Sequence, residues 1–276
     1  MMITIAVLIT CHNRKDKTLA CLEALYAQER LELDFNVEVF LVDDGSSDGT
    51  SEAIRIQFPE VNIIQGDGNL YWNRGMHLAW KTAVFNRNYD YFLWLNDDTI
   101  IFNTALQGII GASNQKNNKA IIVGPTTSLN SLKCTYSGQK KIKNTVFQIL
   151  EPNDKLQKCE RFNGNFVLIP NAVFNFVGNL DHQFHHALGD YDYGLRATNL
   201  GVDSFVYKKF IGVCEINEAN NYLLKKGYLS RLKFLYSPFG PTPSQFFRYN
   251  FRHFGFFWAV LIYLGVHLKI LFHFNK

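Results

Sequence analysis

Blocks of apolar residues separated by polar turns run through the first hundred residues of the chain. Continuous apolar runs rich in branched residues predict buried strands at residues 3–10, 37–42, 61–65 and 91–95. The segments between these runs, such as the one with Leu19, Leu22 and Leu25, space their apolar residues as a helix does. This alternation predicts a mostly parallel sheet with helices on both faces, and it places a ligand at the carboxyl ends of the strands.

The second half of the chain is less regular. We expect a strand near residues 120–123, a β-hairpin across 135–150 with its turn around 139–144, and a strand over 161–170. Acidic residues after Gly189 predict the start of a helix, because carboxylates are favoured at helix N-termini. Neither a repeat nor a linker interrupts the chain before about Asn217. The predicted division is an α/β domain over residues 1–217 and a helical region over residues 218–276.

Charge divides the chain at the same place. Residues 219–276 contain no Asp or Glu, but they hold eight basic residues and sixteen of the 41 aromatic residues. The basic residues are Lys225, Lys226, Arg231, Lys233, Arg248, Arg252, Lys269 and Lys276. The apolar run at residues 254–274 is borderline in length for a membrane-spanning helix and carries Lys269 inside it.

Such a tail favours attachment to an anionic membrane surface, where basic groups meet lipid headgroups and aromatic rings lie at the boundary. Two alternatives are that the rings close the domain core or a dimer contact, or that the run spans the membrane. Nucleic acid is not an expected partner, because the tail is as apolar as it is basic.

The cysteines and the N-terminus indicate the compartment. Five cysteines are scattered without a Cys-x-x-Cys pair, which excludes a disulfide framework and a zinc ribbon. The apolar first ten residues are too short for a secretory signal and lack its basic start. We therefore expect a cytoplasmic protein, peripheral on the inner face of the cytoplasmic membrane.

An acidic turn at residues 43–50 follows the second predicted strand. Its sequence is Asp-Asp-Gly-Ser-Ser-Asp-Gly-Thr. Carboxylates at a strand end can accept hydrogen bonds from a nucleobase and from ribose hydroxyls, while Gly45 and Gly49 let the backbone turn tightly. An Asx-turn with a helix cap and no ligand is the alternative.

A second acidic group, Asn96-Asp97-Asp98, ends the fourth predicted strand. Two adjacent carboxylates repel each other unless a cation or a proton intervenes. Oxygen ligands of this kind suit Mg²⁺ or Mn²⁺ bridging a diphosphate, and a solvated turn is the alternative. His185 and His186 are candidate additional metal ligands, with hydrogen bonding to an acceptor or plain packing as their alternatives.

The third acidic group contains Asp190 and Asp192. Arg196 lies four residues after Asp192, so these two can pair along a helix and leave Asp190 free to act as a general base in a cleft. A helix cap is the alternative. Trp72 is a candidate for stacking on a sugar or a base, or else a core residue.

In this order the groups resemble the family 2 glycosyltransferases, whose catalytic domain has the GT-A fold. The resemblance covers roughly residues 3–210. Residues 10–14 look like the family's first-strand loop, residues 43–50 like its nucleotide-binding turn, and residues 73–75 like its helix start near the diphosphate. Residues 96–98 stand in its D-x-D place, 162–181 are similar to its donor-sugar and acceptor segment, and 189–196 resemble its E-D-x-D-x-x-x-R stretch.

The resemblance implies a role for each matched residue. Asp190 is the implied catalytic base, and Asp98 is the implied ligand of a divalent cation, Mg²⁺ or Mn²⁺. The implied nucleotide-binding residues are Thr10, His12, Asn13, Arg14, Asp43, Asp44, Asn73, Arg74 and Asp97. The implied donor-sugar or acceptor residues are Asn163, Gly164, Asn165, Asp192 and Trp72.

Two positions depart from the family pattern. Asn96 stands at the first D-x-D position, which leaves Asp97 and Asp98 to carry the ribose and metal contacts. Gly189 replaces the acidic residue that usually precedes the base, and the loss of that like charge should favour the ionised form of Asp190. Residues 68–76 look like the rhamnosyltransferase-like branch that builds bacterial surface polysaccharides.

The sequence therefore predicts an inverting glycosyltransferase that moves a hexose from a nucleotide-diphosphate sugar, such as a UDP- or dTDP-sugar, to a polyprenyl-diphosphate-linked glycan. A non-catalytic protein that binds nucleotide sugars or polysaccharides is one alternative. A sugar-phosphate nucleotidyltransferase is another alternative, although residues 11–14 lack the Gly-x-Gly-x-Arg pattern that is typical of such enzymes after the first strand.

Overall fold

The computed structural model of the protein describes residues 2–216, 227–240 and 242–272. The predicted boundary at residues 217 and 218 lies outside these ranges, as do the tail residues Lys225, Lys226 and Lys276.

The strands follow the predicted order in the first half of the chain and are shorter in the second. In chain order they are β1 (Ile3–Cys11), β2 (Phe35–Asp43), β3 (Asn62–Gln65), β4 (Tyr91–Leu95), β5 (Ile100–Ile101), β6 (Ile121–Val123), β7 (Thr126–Thr127), β8 (Cys134–Tyr136), β9 (Gly138–Lys143), β10 (Val146–Ile149), β11 (Gln157–Cys159), β12 (Arg161–Phe162), β13 (Phe166–Pro170), β14 (Ser204–Val206) and β15 (Gly212–Val213).

Eight of these strands form the central sheet, in the order β11-β14-β6-β13-β4-β1-β2-β3. The strands β4, β1, β2 and β3 are mutually parallel, whereas β13 runs antiparallel between β4 and β6. Because β1, β2 and β4 are parallel neighbours, their carboxyl ends meet at one edge of the sheet. The remaining strands form two smaller sheets, β10-β9-β12 and β5-β15-β7-β8.

The helices connect the strands and extend into the C-terminal region. In chain order they are α1 (Lys15–Tyr26), α2 (Leu31–Asp34), α3 (Thr50–Gln57), α4 (Tyr71–Asn86), α5 (Ala105–Gln115), α6 (Asn171–Val177), α7 (Gly189–Asn199), α8 (Tyr228–Leu235), α9 (Pro243–Phe254) and α10 (Phe256–Phe272).

Alternate side chains of β1 enter two different cores. Ile5 and Val7 pack with α1, α3 and α5 on one face of the sheet. Ala6 and Leu8 pack on the other face with α4 and α7, around the fully buried ring of Trp80. This division follows from the two-residue period of a strand. It confirms the predicted α/β fold with a mostly parallel central sheet and helices on both faces.

Two predicted elements of the second half differ in detail. The hairpin forms from β9 and β10, but its turn lies at residues 144–145, where Asn144 takes a left-handed φ of 45° that asparagine tolerates. The predicted strand over 161–170 is divided into β12 and β13. The backbone leaves the sheet at residues 163–165, where Gly164 N–H donates a hydrogen bond to Asp190.

The C-terminal helices include a hairpin that packs on the α/β domain. The helices α9 and α10 meet at Gly255, whose φ of 86° permits the sharp reversal. Phe247 of α9 lies within 6.4 Å of the Phe256 ring and 6.2 Å of the Tyr263 ring on α10, measured between ring centroids. Tyr249, on α9, shares a buried cluster with residues 184–195 of the α/β domain. The predicted appendage is thus helical, and α9 is joined to the domain by a common core.

Among the described residues, no helix combines the length and the apolar character needed to cross a membrane.

Candidate active site

A cleft of about 570 Å³ opens at the carboxyl ends of β1, β2 and β4. Its walls come from the first-strand loop, the two acidic turns, the start of α4 and the C-terminal region. The lining residues are Thr10, Cys11, His12, Arg14, Asp44, Gly68, Tyr71, Trp72, Asn96, Asp97, His186 and Phe239. Most of the residues predicted to bind a nucleotide therefore lie in or beside one cleft, as the parallel strands require.

Hydrogen bonds join the loop at residues 10–14 to the turn at residues 43–50. The side-chain oxygen of Asn13 accepts a hydrogen bond of 2.8 Å from Ser47 N–H, and the Asn13 N–H donates one of 2.9 Å to Ser46 Oγ. The Nδ1–H of His12 donates a 2.6 Å hydrogen bond to the Asp44 carbonyl. Asn13 has a left-handed φ of 50°, which asparagine tolerates better than most residues. Two loops from adjacent strands thus form one rigid rim.

Asp43 and Asp44 hold the loops around them. Oδ1 of Asp43 accepts a 2.9 Å hydrogen bond from Ser46 N–H, and its Oδ2 accepts one from Ser51 Oγ. Oδ1 of Asp44 accepts from Gly68 N–H at 2.8 Å, while its Oδ2 accepts from the N–H groups of Leu70 and Tyr71 at 3.0 and 2.9 Å.

Both carboxylates therefore accept hydrogen bonds from backbone N–H groups of turns and helix starts, as expected of residues that cap the backbone without a ligand. Asp44 also lines the cleft. Each oxygen of a carboxylate has two lone pairs, so these bonds leave capacity for a ligand.

Asn73 is fully buried and ties the start of α4 to the segment before α7. Its Nδ2 donates hydrogen bonds of 2.8 Å to the carbonyls of Asp181 and Phe184. Its Oδ1 lies where a side chain on Gly189 would stand, 1.7 Å from the position of an added Cβ. A glycine at 189 is therefore required by close packing. Arg74 is half-buried beside it, and its Nε donates a 3.0 Å hydrogen bond to the His182 carbonyl.

Trp72 lies between the acidic strand end and the loop at residues 163–165. Its Nε1–H donates a 2.7 Å hydrogen bond to Asn96 Oδ1, and its ring packs edge-to-face on Trp94. A Cβ on Gly164 would stand within 2.5 Å of the Trp72 ring, so the glycine admits the indole. Asn96 thus positions an aromatic wall of the cleft.

Arg14 forms ion pairs with both carboxylates at the end of β4. Its Nη1 lies 3.1 Å from Asp97 Oδ1 and 2.8 Å from Asp98 Oδ2. Burial raises the pKa of Asp97 to about 7, although the Arg14 charge opposes the rise. Asp98 Oδ1 also accepts a hydrogen bond from the Cys214 thiol. A cation beside these carboxylates is therefore electrostatically favourable, and in this structure the cation is a guanidinium.

The residues present fit a divalent cation only in part. Asp97 and Asp98 supply the hard oxygen ligands that Mg²⁺ and Mn²⁺ prefer. Within the described ranges, however, no group of three or more His, Cys, Asp and Glu side chains is arranged to hold a metal. His186 lines the cleft beside Tyr71 and Phe239, whereas His185 is not part of its lining. Any bound cation would need further ligands from a donor diphosphate.

Asp190 stands in the first turn of α7 with a half-buried side chain. Its Oδ2 accepts a 3.0 Å hydrogen bond from Gly164 N–H, and its Oδ1 accepts one of 2.8 Å from Tyr191 N–H. Burial raises the pKa of Asp190 to about 6, against the opposing effect of these two hydrogen bonds and of the Arg161 charge. A carboxylate with such a pKa is ionised at neutral pH and is well matched to accept a proton.

Asp192 is fully buried, is not part of the cleft lining, and is hydrogen-bonded to two arginines and a histidine. Nε of Arg196 donates a 2.9 Å hydrogen bond to its Oδ2, which confirms the predicted pairing along the helix. Arg252 and His253, both on α9, donate to its Oδ1 at 2.7 and 2.9 Å. Burial alone would raise its pKa, but His253, Arg196 and Arg252 together lower it. This geometry gives Asp192 a structural position, and its role toward a donor sugar or acceptor stays a prediction.

The two asparagines around Gly164 take different positions. Asn163 is half-buried, and its Nδ2 donates a 3.2 Å hydrogen bond to Tyr191 Oη beside Asp190. Asn165 is buried, and its carbonyl accepts a 3.0 Å hydrogen bond from Asn96 N–H. Asn163 thus lies on the side of the candidate general base, while Asn165 fixes the acidic strand end.

The C-terminal region contributes contacts that sequence reasoning did not assign to the site. Phe239 packs edge-on against Tyr71 and lines the cleft. Gln245 Oε1 accepts a hydrogen bond from His185 N–H, and Tyr249 Oη accepts one from Arg161. The many aromatic residues of the tail indicated that it packs against another surface, but the sequence did not show which rings face the domain.

A parallel sheet that collects acidic turns at one edge, beside a half-buried carboxylate at the start of a following helix, is the architecture of a GT-A glycosyltransferase. Comparison with known families agrees. Residues 6–176 match Glycosyl transferase family 2, and the chain belongs to that family. Family membership favours glycosyl transfer over the nucleotidyl transfer that was the rival from the same fold.

Several solved structures share the fold. S. aureus TarS aligns with a TM-score of 0.56 at 13% identity, covering 92% of this chain and 44% of that one. The mannosyltransferase PcManGT from Pyrobaculum calidifontis, solved with GDP-Man and Mn²⁺, also gives 0.56 at 13% identity, covering 100% of this chain and 77% of that one. TarS 1–349 in complex with UDP gives 0.54 at 13% identity, covering 84% and 66%.

The chain thus spans less than half the length of the first of these proteins, and at such identities the likeness shows the fold alone. No curated protein matches the chain in sequence.

Proposed function

We propose that this protein is an inverting glycosyltransferase that transfers a hexose from a nucleotide-diphosphate sugar to a hydroxyl group of a glycan. The observation that carries the proposal is the geometry of Asp190. Its carboxylate is partly exposed at the start of α7, is held by two backbone N–H groups, and has a pKa of about 6. A base in this state can remove the acceptor proton while the acceptor oxygen attacks the anomeric carbon from the face opposite the leaving group.

The donor diphosphate is proposed to lie near Arg14, Asp97 and Asp98. A divalent cation held by Asp98, Mg²⁺ or Mn²⁺, would neutralise the leaving diphosphate. Arg14 pairs with both Asp97 and Asp98 in this structure. Once a metal ion holds these carboxylates, the Arg14 guanidinium would be released to bind the phosphates. Neighbours of the same fold solved with UDP, or with GDP-Man and Mn²⁺, support a nucleotide-sugar donor of this class.

Orientation of the donor is proposed to come from the two acidic loops and from Trp72. Asp44 and His12 line the cleft where a base and a ribose would lie, and Trp72 offers a ring beside the proposed sugar position. The rigid rim formed by Asn13 and Ser47 would hold this arrangement without a change of shape on binding.

The acceptor is proposed to be a polyprenyl-diphosphate-linked glycan of bacterial surface polysaccharide synthesis, such as an O-antigen or a capsule. One face of α10 supports a location at the membrane. Five apolar residues spaced by three and four are 45% to 66% exposed. They are Phe257, Leu261, Leu264, Leu268 and Leu271, which we name the α10 stripe.

The charge around the α10 stripe supports an anionic surface as its partner. Lys269 is exposed next to it, and the region from residue 219 onward carries eight basic residues and no acidic ones. An anionic lipid surface satisfies both the charge and the apolar face. A peripheral position there would bring a lipid-linked acceptor to the site.

The proposed reaction is tested by screening UDP-, dTDP- and GDP-hexoses for acceptor-dependent release of the nucleoside diphosphate. The configuration of the new glycosidic bond, measured by NMR, distinguishes inversion from retention. A protein that binds a nucleotide sugar without turnover, and whose function is unchanged by Asp190→Asn, would instead support the non-catalytic alternative.

A further inference from the structure

A row of alternating rings and cations leads away from the candidate general base. The row consists of Tyr191, Arg161, Phe147, Phe254 and Lys141, which we name the aromatic track. The guanidinium carbon of Arg161 lies 4.3 Å from the Tyr191 ring centroid and 3.8 Å from that of Phe147. Phe147 lies 6.2 Å from Phe254, centroid to centroid, and Lys141 Nζ lies 5.4 Å from the Phe254 centroid. All five side chains are at least partly exposed.

The track begins at the reaction site and ends at the C-terminal hairpin. Its first residue, Tyr191, follows Asp190 directly and donates its backbone N–H to the Asp190 carboxylate. Its fourth residue, Phe254, is the last residue of α9, and only Gly255 separates it from α10. The track therefore connects the candidate base with the helix that carries the exposed α10 stripe.

Arg161 is held in the track by neutral groups. Its Nε donates a 2.8 Å hydrogen bond to Gln139 Oε1, and its Nη1 donates one of 3.2 Å to Tyr249 Oη. Within the described residues, no carboxylate lies in ion-pair distance of Arg161, and its Nη2 makes no hydrogen bond. A guanidinium fixed between two rings with one edge unused is suited to bind an anion that arrives from outside.

The neighbouring strand adds further positive charge. Lys140, Lys141 and Lys143 on β9 are exposed, and none forms an ion pair with the described part of the chain. The closest acidic side chain in the hydrogen-bond network is Glu160, whose Oε2 accepts a 2.8 Å hydrogen bond from the Lys141 backbone N–H. The positive charges thus exceed the negative ones along the outer part of the track.

Resting on the proposed function, we infer that the aromatic track is the acceptor subsite and that it binds a phosphorylated glycan. Sugar rings would stack on Tyr191 and Phe147 near Asp190, and a phosphate group would be bound by Arg161 and Lys141. The phosphate can belong to a lipid-linked diphosphate or to a soluble sugar phosphate, since both present the same anion to these two cations.

The test measures binding to the full chain by titration calorimetry, with three probes that differ in the anion and the lipid. The probes are N-acetylglucosaminyl diphosphofarnesol, N-acetylglucosamine 1-phosphate and the neutral octyl N-acetylglucosaminide. Lys141→Glu is the principal variant because its side chain is exposed and its loss does not affect a core. Lys119→Glu, an exposed position just before β6 and not part of the track, is the matched control.

We expect both phosphate probes to bind the wild-type chain and to lose tenfold or more in affinity with Lys141→Glu, but not with Lys119→Glu. Tighter binding of the farnesol probe assigns the phosphate to a lipid-linked acceptor, while equal affinities assign it to a soluble one. The inference is overturned if neither phosphate probe binds, if the neutral probe binds as well as they do, or if the two variants behave alike.

Arg161→Gln provides a second readout, because it removes the charge between the rings while keeping a hydrogen-bonding side chain. Its expected effect on the phosphate probes is in the same direction as that of Lys141→Glu. Release of nucleotide from donor alone is measured separately. If the donor is turned over but neither variant changes the affinity for the phosphate probes, the assignment of the acceptor subsite is wrong and the proposed function stands. If the probes bind through the aromatic track but no donor is turned over, the track is a binding site and the proposed function is wrong.

Discussion

Arg252 on α9 donates a 2.7 Å hydrogen bond to Oδ1 of Asp192, which is fully buried on α7 two residues from Asp190. The same guanidinium donates a second bond of 2.7 Å to Asp181. A residue of the C-terminal helices therefore helps to fix the helix that presents the candidate base. A count of charges would suggest that all basic residues of this region face outward, but Arg252 does not.

The first prediction concerns the role of Asp190. Asp190→Asn should keep donor affinity while lowering kcat by about 10²-fold or more, since general-base catalysis contributes roughly 10²–10⁴. Donor affinity is measured by calorimetry and kcat by release of nucleoside diphosphate. Circular dichroism of the variant confirms that it is folded. Near-normal turnover by the folded variant would contradict the assignment.

The second prediction is the pH dependence of turnover. The pKa of Asp190 is raised by burial to about 6, and a general base must be ionised to accept a proton. Activity should therefore fall as pH decreases through about 6. The profile of kcat against pH, measured at saturating substrates, checks this. A midpoint near the ordinary value for aspartate would contradict the assignment of Asp190 as the base.

The third prediction concerns the contact between α9 and α7. Arg252→Met removes a charged partner from a carboxylate that is fully buried, and we expect a loss of about 2 kcal/mol in the free energy of unfolding. Urea denaturation measures the loss. Arg248→Met is the control, because Arg248 is exposed on the same helix. Equal stabilities of the two variants would mean that α9 does not hold α7 in place.

The same network makes stability depend on acid. The pKa of Asp192 is lowered despite burial by the hydrogen bond from His253 and by the charges of Arg196 and Arg252, so its contribution to stability is complete above the ordinary aspartate pKa of about 4 and is lost as pH falls through the lower folded value. Below about pH 4 the difference in stability between wild type and Arg252→Met should shrink.

The local pattern was sufficient to predict the first half of the fold and the position of the cleft. The bounds of β4 agree with the apolar run at residues 91–95, because a buried parallel strand has little besides apolar residues. The pairing of Asp192 with Arg196 followed from helical spacing alone. Both depend on residues close together in the chain.

Contacts over long sequence separations could not be predicted in this way. Gly189 was interpreted as the loss of a like charge beside Asp190, whereas the structure shows that Asn73, distant in the chain, occupies the space of a side chain there. Arg252 was counted among membrane-facing cations, yet its partners lie on α7 and at Asp181. A single sequence gives spacing along the chain and no information on which distant residues meet.

The fourth prediction addresses the proposed cation. Asp98→Ala should weaken donor binding and abolish stimulation by Mn²⁺ or Mg²⁺, because it removes a hard oxygen ligand from the end of β4. The measurements are donor affinity by calorimetry at several metal concentrations and activity of the wild-type enzyme in excess chelator, with metal added back as the control. Full wild-type activity in excess chelator would contradict a cation role and would leave Arg14 as the charge that neutralises the diphosphate.

The last prediction concerns the membrane surface. Wild-type protein should co-sediment with liposomes that contain phosphatidylglycerol, and binding should rise with the anionic fraction. High salt should reduce binding only in part, because it screens Lys269 and its neighbours but leaves the apolar contribution of the α10 stripe. A variant with Leu261, Leu264 and Leu268 each changed to Gln should lose tenfold or more in partitioning, since each buried leucine contributes roughly 1.5–3 kcal/mol.

This variant is sharper than deletion of residues 246–276, because such a deletion would also remove Arg252 and Tyr249 from the core beside α7. Ile56→Gln is the matched control, since Ile56 is 81% exposed on α3, away from the C-terminal helices. If wild-type protein ignores anionic liposomes and instead forms a dimer that the stripe variant abolishes, the stripe is a contact between two copies of the chain. The lipid surface would then have no part in bringing the acceptor to Asp190.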